Sequence, residues 1–238
     1  MPRLFAIAFR EYASLFRIPL GWIVLALFLG VAGVVFAFAA IVPGQPATMR
    51  SFFELMWWLL AVLAPAISMR LFSEEIRTGT IEPLLTAPVH ESSVVLGKYA
   101  ATVMFLFTLL APTLVYVLVL ELLSRPDLGP IAAGYLGVSL LGMLYLAVGC
   151  FASSLTSSQP LAFLGTLFVL FLVEVLSSFV APIAPDLIRR FLYALSPSHR
   201  MGDFARGLID TGHVVFFLAL SAWLLAVTTV TLQSRRWR

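Results

Sequence analysis

Six stretches of consecutive apolar residues dominate the chain, at about residues 20–42, 52–69, 99–120, 131–153, 160–179 and 214–232, with short polar segments between them. A bilayer core needs roughly 20 residues in helical form, and lipid leaves every backbone polar group to be satisfied within its own segment, which a helix does. Each stretch therefore predicts a membrane-spanning helix. The expected fold is an all-α integral membrane protein with six transmembrane helices, and an even number of crossings puts both termini on one side. The first stretch contains Ala37-Phe38-Ala39, which resembles a processing site. Its apolar core is longer than the 7 to 15 residues typical of a signal sequence and a long segment containing Glu11 precedes it, so it is expected to be retained.

Outside the spans the pattern changes period. In residues 1–19, Phe5, Phe9, Tyr12 and Phe16 share one helical face, and Arg3, Arg10, Ser14 and Arg17 share the opposite one. This predicts an N-terminal interfacial amphipathic helix, with aromatics at the acyl boundary and arginines on lipid phosphates. The plainer reading is an anchor that does no more than hold positive charge on one side. Residues 20–238 then form the six-span domain.

The segment from Arg70 to Lys98 is the most polar stretch on the side of the termini. Within it Thr80 suits an N-cap, Glu82 falls in the first turn where the helix dipole favours an anion, Pro83 is early enough to be tolerated, and Pro88 ends the element. Residues 80–85 thus predict a helix of about two turns that exposes Ile81, Leu84 and Leu85 and is too short to be stable alone in water. It must dock, either on a partner or on the protein's own span ends. On the opposite side, residues 180–213 carry two amphipathic patterns separated by Pro197. Leu187, Ile188, Phe191, Leu192 and Leu195 form the first, and Met201, Phe204, Ala205, Leu208 and Ile209 the second. They predict two short helices folded back as a lid on the span ends. Pro65 and Pro112 predict kinks in spans two and three. The small residues Ala133, Gly137, Gly142, Gly149 and Ser153 predict close packing along span four.

Composition excludes a soluble domain: 61% of the 238 residues are hydrophobic and only 11% are charged. The net charge of +3 is gathered in the loops and gives no sign of nucleic-acid binding. Arg3, Arg10, Arg17, Arg70, Arg77, Lys98, Arg235, Arg236 and Arg238 lie on the side of the termini; Arg50, Arg125, Arg189, Arg190, Arg200 and Arg206 lie opposite. The positive-inside rule then makes the termini cytoplasmic and the protein a multi-pass protein of the inner (cytoplasmic) membrane.

Little in the chain suggests catalysis. There is no phosphate-binding Gly-x-x-x-x-Gly-Lys-Ser/Thr, since Gly97-Lys98-Tyr99 lacks both the upstream glycine and the hydroxyl, and no zinc-protease or serine-hydrolase motif occurs. His90, His199 and His213 lack ligand spacing, and the single cysteine, Cys150, lies in an apolar run. The chain is expected to be no enzyme and to bind no cofactor or metal. Glu54 and Glu121 stand at span ends, but Glu174 lies about two thirds of the way along span five, where a charge costs roughly 2.5 to 3.5 kcal/mol. It is expected either to line a translocation route or gate, or to lie shallow enough to bond to the lid helices.

The run Pro65-Ala66-Ile67-Ser68-Met69-Arg70, with Glu74-Glu75, Gly79-Thr80-Ile81-Glu82, Leu84-Leu85, Pro88 and Gly97-Lys98, resembles the signature of type-2 ABC transporter permeases. Leu195-Ser196-Pro197, the segment from Phe204 to Asp210, and Arg235-Arg236-Trp237 look like the same group, nearest to the gliding-motility and nitrous-oxide-reductase-maturation permeases of bacteria. The resemblance implies the permease subunit of an ATP-binding-cassette exporter. Its partners would be a second permease, as a homodimer, membrane lipid, and two copies of a cytoplasmic ATPase subunit that holds ATP and Mg. Residues 80–85 would be the cytoplasmic coupling helix, in contact with the ATPase through Gly79, Thr80, Ile81, Glu82, Leu84 and Leu85, with Glu74, Glu75 and Arg77 as a charged rim. The 154–159 loop would be a minor second contact. A secondary transporter would show more intramembrane charge and repeated halves. A membrane scaffold or assembly factor would share the topology without needing the coupling loop.

Overall fold

The computed structural model describes residues 2–40, 48–80, 90–123 and 126–235; for residues 2, 3, 39, 40 and 235 only the backbone is described. Among the described residues all regular structure is helical: α1 Pro2–Arg17, α2 Pro19–Val35, α3 Arg50–Ser68, α4 Ser73–Thr78, α5 Glu91–Leu110, α6 Leu114–Leu123, α7 Leu128–Leu155, α8 Gln159–Val175, α9 Asp186–Leu195, α10 Pro197–Ala205 and α11 Thr211–Arg235. Among the described residues, six helical segments are long and apolar enough to cross a membrane: Pro19–Phe38, Arg50–Thr78, Glu91–Leu123, Leu128–Leu155, Gln159–Ile183 and Thr211–Ser234. The chain is a multi-pass membrane protein. Its end bearing α4, the start of α5 and the end of α11 is called the near end below, and the end bearing α9 and α10 the far end.

Helix α7 is the axis of the bundle. It packs against α3, α5, α8, α10 and α11, and 67% of its apolar stretch is buried against 22% for the fifth span, Gln159–Ile183. Between spans in lipid there is no hydrophobic drive to associate, so close van der Waals fit carries the packing and small side chains permit it. The glycines of α7 do this. A Cβ at Gly137 would lie 2.6 Å from Phe204 of α10 and one at Gly142 2.6 Å from Leu106 of α5, and one at Gly149 would overlap the Ser68 hydroxyl of α3. Gly134 accommodates the ring of Phe53 in the same way.

The two prolines act differently. Pro112 sits in a tight 3-10 turn, Ala111–Thr113, which divides the third span into α5 and α6. Helix α3 continues through Pro65, and its regular winding ends only at Ser68. The chain then turns for four residues before α4 begins. This break is held by Ser153 of α7, whose hydroxyl accepts from the backbone N–H groups of Phe72 (3.0 Å) and Ser73 (3.1 Å) and donates to the Met69 carbonyl (3.0 Å).

At the far end the two short helices differ. Helix α10 starts at Pro197, capped by the Ser196 hydroxyl, and seats Met201 and Phe204, both fully buried, against α7 and α3. Helix α9 buries no residue. Its Leu187 (83% exposed), Ile188 and Phe191 face away from the bundle. Helix α10 is therefore the one seated in the bundle, where Gly137 leaves a socket for Phe204, whereas α9 lies against the end of the fifth span with Leu192, Tyr193 and Leu195 only half-buried.

Candidate functional site

The side chains that carry charge into the bundle gather at its two ends. At the near end the centre is Lys98, on the second turn of α5 and 2% exposed. Its Nζ lies 2.8 Å from Oε1 of Glu75 on α4 and 3.4 Å from Oε1 of Glu11 on α1, with the Phe72 ring centroid 5.5 Å away. A buried ammonium costs several kcal/mol unless it is paired, so Lys98 requires both carboxylates. One cation thereby joins α1, α4 and α5.

Gly97 explains how α1 comes so close. A Cβ there would lie 2.8 Å from Cγ2 of Ile7 and 3.3 Å from the Leu4 carbonyl. Further along the same contact, Tyr12 shares a 2.8 Å hydrogen bond with Thr108, and the Phe16 ring packs 5.3 Å from that of Phe105. The aromatic stripe of α1 is thus divided: Phe5 and Phe9 are exposed, whereas Tyr12 and Phe16 pack on α5 or bond to it. A third face, with Ile7, Ala8 and Glu11, docks at Gly97-Lys98.

Helix α4 is stabilised by its own residues. Glu74 and Glu75 occupy the first turn, favourable to the helix dipole, and Gly79 ends the helix with a left-handed φ of 71°, a conformation glycine adopts without a Cβ penalty. The Arg70 guanidinium donates to Glu74 Oε2 at 2.6 and 2.9 Å. The Thr78 hydroxyl donates to the Glu74 carbonyl (2.9 Å) and lies 2.9 Å from the Thr80 hydroxyl. A cavity of about 50 Å³ lined by Glu11, Arg70 and Glu74 lies between these elements, with room for water.

Of the residues expected to meet an ATPase, the structure brings Glu74 and Glu75 into the protein's own ion pairs and leaves Arg77, Gly79 and Thr80 exposed. Ile81, Glu82, Leu84 and Leu85, and with them most of the 80–85 helix, lie outside the described residues. Lys98 and Glu11 had no place among the expected site residues. The signal was available: a lysine directly before the apolar run of span three must find an anion if it is buried, and Gly97 beside it marks a close approach.

The far end is built around Glu174, 8% exposed and one residue from the end of α8. Its Oε1 accepts from the hydroxyls of Ser178, one turn on, and of Ser198 on α10, both at 2.9 Å. Its Oε2 is buried and has no hydrogen-bond partner. Glu174 therefore does bond to one of the short far-end helices. Two residues on from Ser198, the Arg200 guanidinium stacks 4.0 Å over the Phe216 ring and donates to the Ala194 carbonyl at 2.7 Å. Burial moves its pKa down from the usual arginine value, and Asp210 and Asp203 partly restore it.

Among the described residues no group of histidine, cysteine or acidic side chains has the arrangement to hold a metal ion. What the molecule offers is six spans with a charged clamp at one end and a hydroxyl-bound carboxyl at the other. That arrangement suits a transport subunit that moves. A search of curated proteins finds no match. A family described as ABC-2 family transporter protein matches residues 23–195, from the first span through α9 and so through five of the six spans. The chain belongs to the ABC-2 family of transporters and is a membrane-spanning permease subunit of that type.

Proposed function

We propose that this chain is the permease of an ATP-binding-cassette exporter of the inner membrane, with both termini and the near end in the cytoplasm. It works as a homodimer with two copies of a separate ATPase subunit, which bind ATP and Mg and hydrolyse the nucleotide. The gliding-motility and nitrous-oxide-reductase-maturation permeases are the branch it resembles. The observation that carries the reading is the Lys98 clamp. Helix α4 leads directly into residues 80–85, the segment that would meet the ATPase, and Lys98 ties α4 to α1 and to span three. A push on that loop has a stiff path into the membrane.

Coupling requires the ATPase to contact two permease conformations differently. A short amphipathic helix is suited to this, because Ile81, Leu84 and Leu85 would complete an apolar groove on the partner, with Gly79, Thr80 and Glu82 framing its start. Arg77 would sit on the rim, joined by the outer edges of Glu74 and Glu75. Glu174 is part of a gate at the far end, where it holds α10 to span five through Ser198.

The test is purification of the tagged chain from its own membranes. A nucleotide-binding chain, identified by mass spectrometry through a phosphate-binding motif, should co-purify in stoichiometric amount and hydrolyse ATP. Leu84→Glu should insert normally and lose that chain, since a charge in an apolar interface costs a few kcal/mol. Retention of the partner by the variant would move the coupling role to the 154–159 loop. Absence of any ATPase from the wild-type complex would favour a scaffold or secondary transporter.

A further inference from the structure

Helices α8 and α11 both pack closely on α7 but not on each other, which leaves a cleft over α7 between spans five and six. The cleft holds a cavity of about 160 Å³. Its floor includes Tyr145 and Val148 of α7, its sides include Val169 and Val173 of α8 and Leu220 of α11, and Pro197, at the turn from α9 to α10, stands at its far-end margin. With a rise of about 1.5 Å per residue, Val148 lies about 10 Å from the near end of span four, Val173 about 21 Å from the near end of span five, and Leu220 about 14 Å from the far end of span six. A bilayer's hydrocarbon core is about 30 Å thick, so these walls stand within it, near the depth at which acyl chains end.

The walls select what can fill the space. Water needs roughly two to four polar partners, and the one polar side-chain group on the lining is the hydroxyl of Tyr145, a residue 3% exposed. A helix of a second copy is about 10 Å across or more with its side chains, too wide for this volume with a turn across one end. An engineered apolar cavity of about this size takes up benzene, so roughly six carbon atoms fit. Left empty, the cavity would forfeit the dispersion contacts of every side chain that lines it. Its open side admits a chain from the surrounding lipid, since Val169 is 45% exposed. Moving a chain from lipid into protein brings no hydrophobic gain, so fit decides what enters. Val148, Val169 and Val173 are branched at Cβ and stiff, and they leave a narrow space that suits a thin chain.

We infer that this cleft is a binding site for the end of an unbranched acyl chain of a bilayer lipid, seated on Tyr145 and Val148 between spans five and six. The inference concerns binding only and stands whether or not an ATPase partner exists.

The experiment uses the full chain in phosphatidylcholine nanodiscs that carry a trace of phosphatidylcholine with a diazirine near the end of one straight chain, and residue-level mapping after irradiation. Phe107, half-exposed on span three and away from the cleft, reports contact with bulk lipid, and Tyr145 reports entry. Both should be labelled. A methyl-branched chain with the same diazirine should label Phe107 equally and Tyr145 about tenfold less, the effect of forcing extra methyl groups into a packed space. Val148→Phe and Val173→Phe fill the cleft from different walls, and either one that retains the wild-type thermal midpoint should abolish labelling of Tyr145 and leave that of Phe107 unchanged. Labelling of Phe107 without Tyr145 would overturn the inference and show the cleft closed, by a second copy or by its own walls. Equal labelling of Tyr145 by the two chains, or labelling of Tyr145 that persists in a folded filling variant, would overturn it as well.

Discussion

The two ends of the bundle bury charge in opposite ways. At the near end a cation is met by two carboxylates from two other elements, with an aromatic ring beside it. At the far end a lone carboxyl is met by two hydroxyls on one oxygen, and the other oxygen has none. The first is a clamp whose release exposes several uncompensated charges. The second is a latch of neutral donors in which α10 is released at the cost of one hydrogen bond, that from Ser198, because Ser178 lies on the same segment as Glu174. On the proposed reading, in which the near end meets the ATPase and the far end gates, the stiff contact and the loose one each stand where they would be useful.

The sharpest way to break this comparison is Lys98→Met. It leaves Glu11 and Glu75 facing an apolar side chain; because each is about one-fifth exposed, the expected loss falls somewhat below that of a fully buried broken pair, at about 2 to 3 kcal/mol. Unfolding in mixed micelles would measure it, and Lys98→Arg should recover part of the loss. A loss within error of zero would mean that the clamp is not needed for rigidity.

A smaller effect is expected from Gly97→Ala, which places a methyl group 2.8 Å from Ile7. Overpacking of this kind costs about 1 to 2 kcal/mol and should appear as faster proteolysis of α1. Combining it with Ile7→Ala should cost less than the two single changes together, since the second makes room for the first.

The smallest effect belongs to the far end. Ser198→Ala removes one hydrogen bond to Glu174 and should cost about 1 kcal/mol, as should Ser178→Ala. The two should nevertheless differ in kind: only Ser198→Ala should speed hydrogen exchange in α10, because Ser178 lies on the same segment as Glu174. Equal exchange in both variants would remove the latch, and a loss as large as that of Lys98→Met would erase the contrast between the ends.

How far the sequence shows these features depends on the range of the physics involved. The six spans are legible because each is a local property of one apolar run. The glycines of span four are legible as close contacts, though not their partners. The ion pairs are a different matter: Glu11 and Lys98 are 87 residues apart, and the charge on Lys98 reads from sequence as one more loop cation. Glu75, by type and position, suits an outward rim; its inward turn follows from the break after Ser68, which a run of apolar and polar positions does not record. Glu174 is conspicuous in span five, but Ser198 has nothing to single it out from its neighbours. The difference between α9 and α10 was hidden for the same reason. Both have an apolar face, and only Gly137 opposite Phe204 decides which one is buried.

The hydroxyl of Ser153 has a mechanical consequence. A helix broken between two segments ordinarily has a free joint, and α4 would then be restrained about residues 69–72 only by its ion pairs to Arg70 and Lys98. Here a single side chain holds both sides of the break, accepting from Phe72 and Ser73 and donating to Met69. The joint has therefore lost its independent degree of freedom, and torque applied to α4 is delivered to α7. Since the second, third, fifth and sixth spans bear on α7, which itself ends at Leu155, a turn of α4 is felt by the four spans around that axle and at the start of the 154–159 loop.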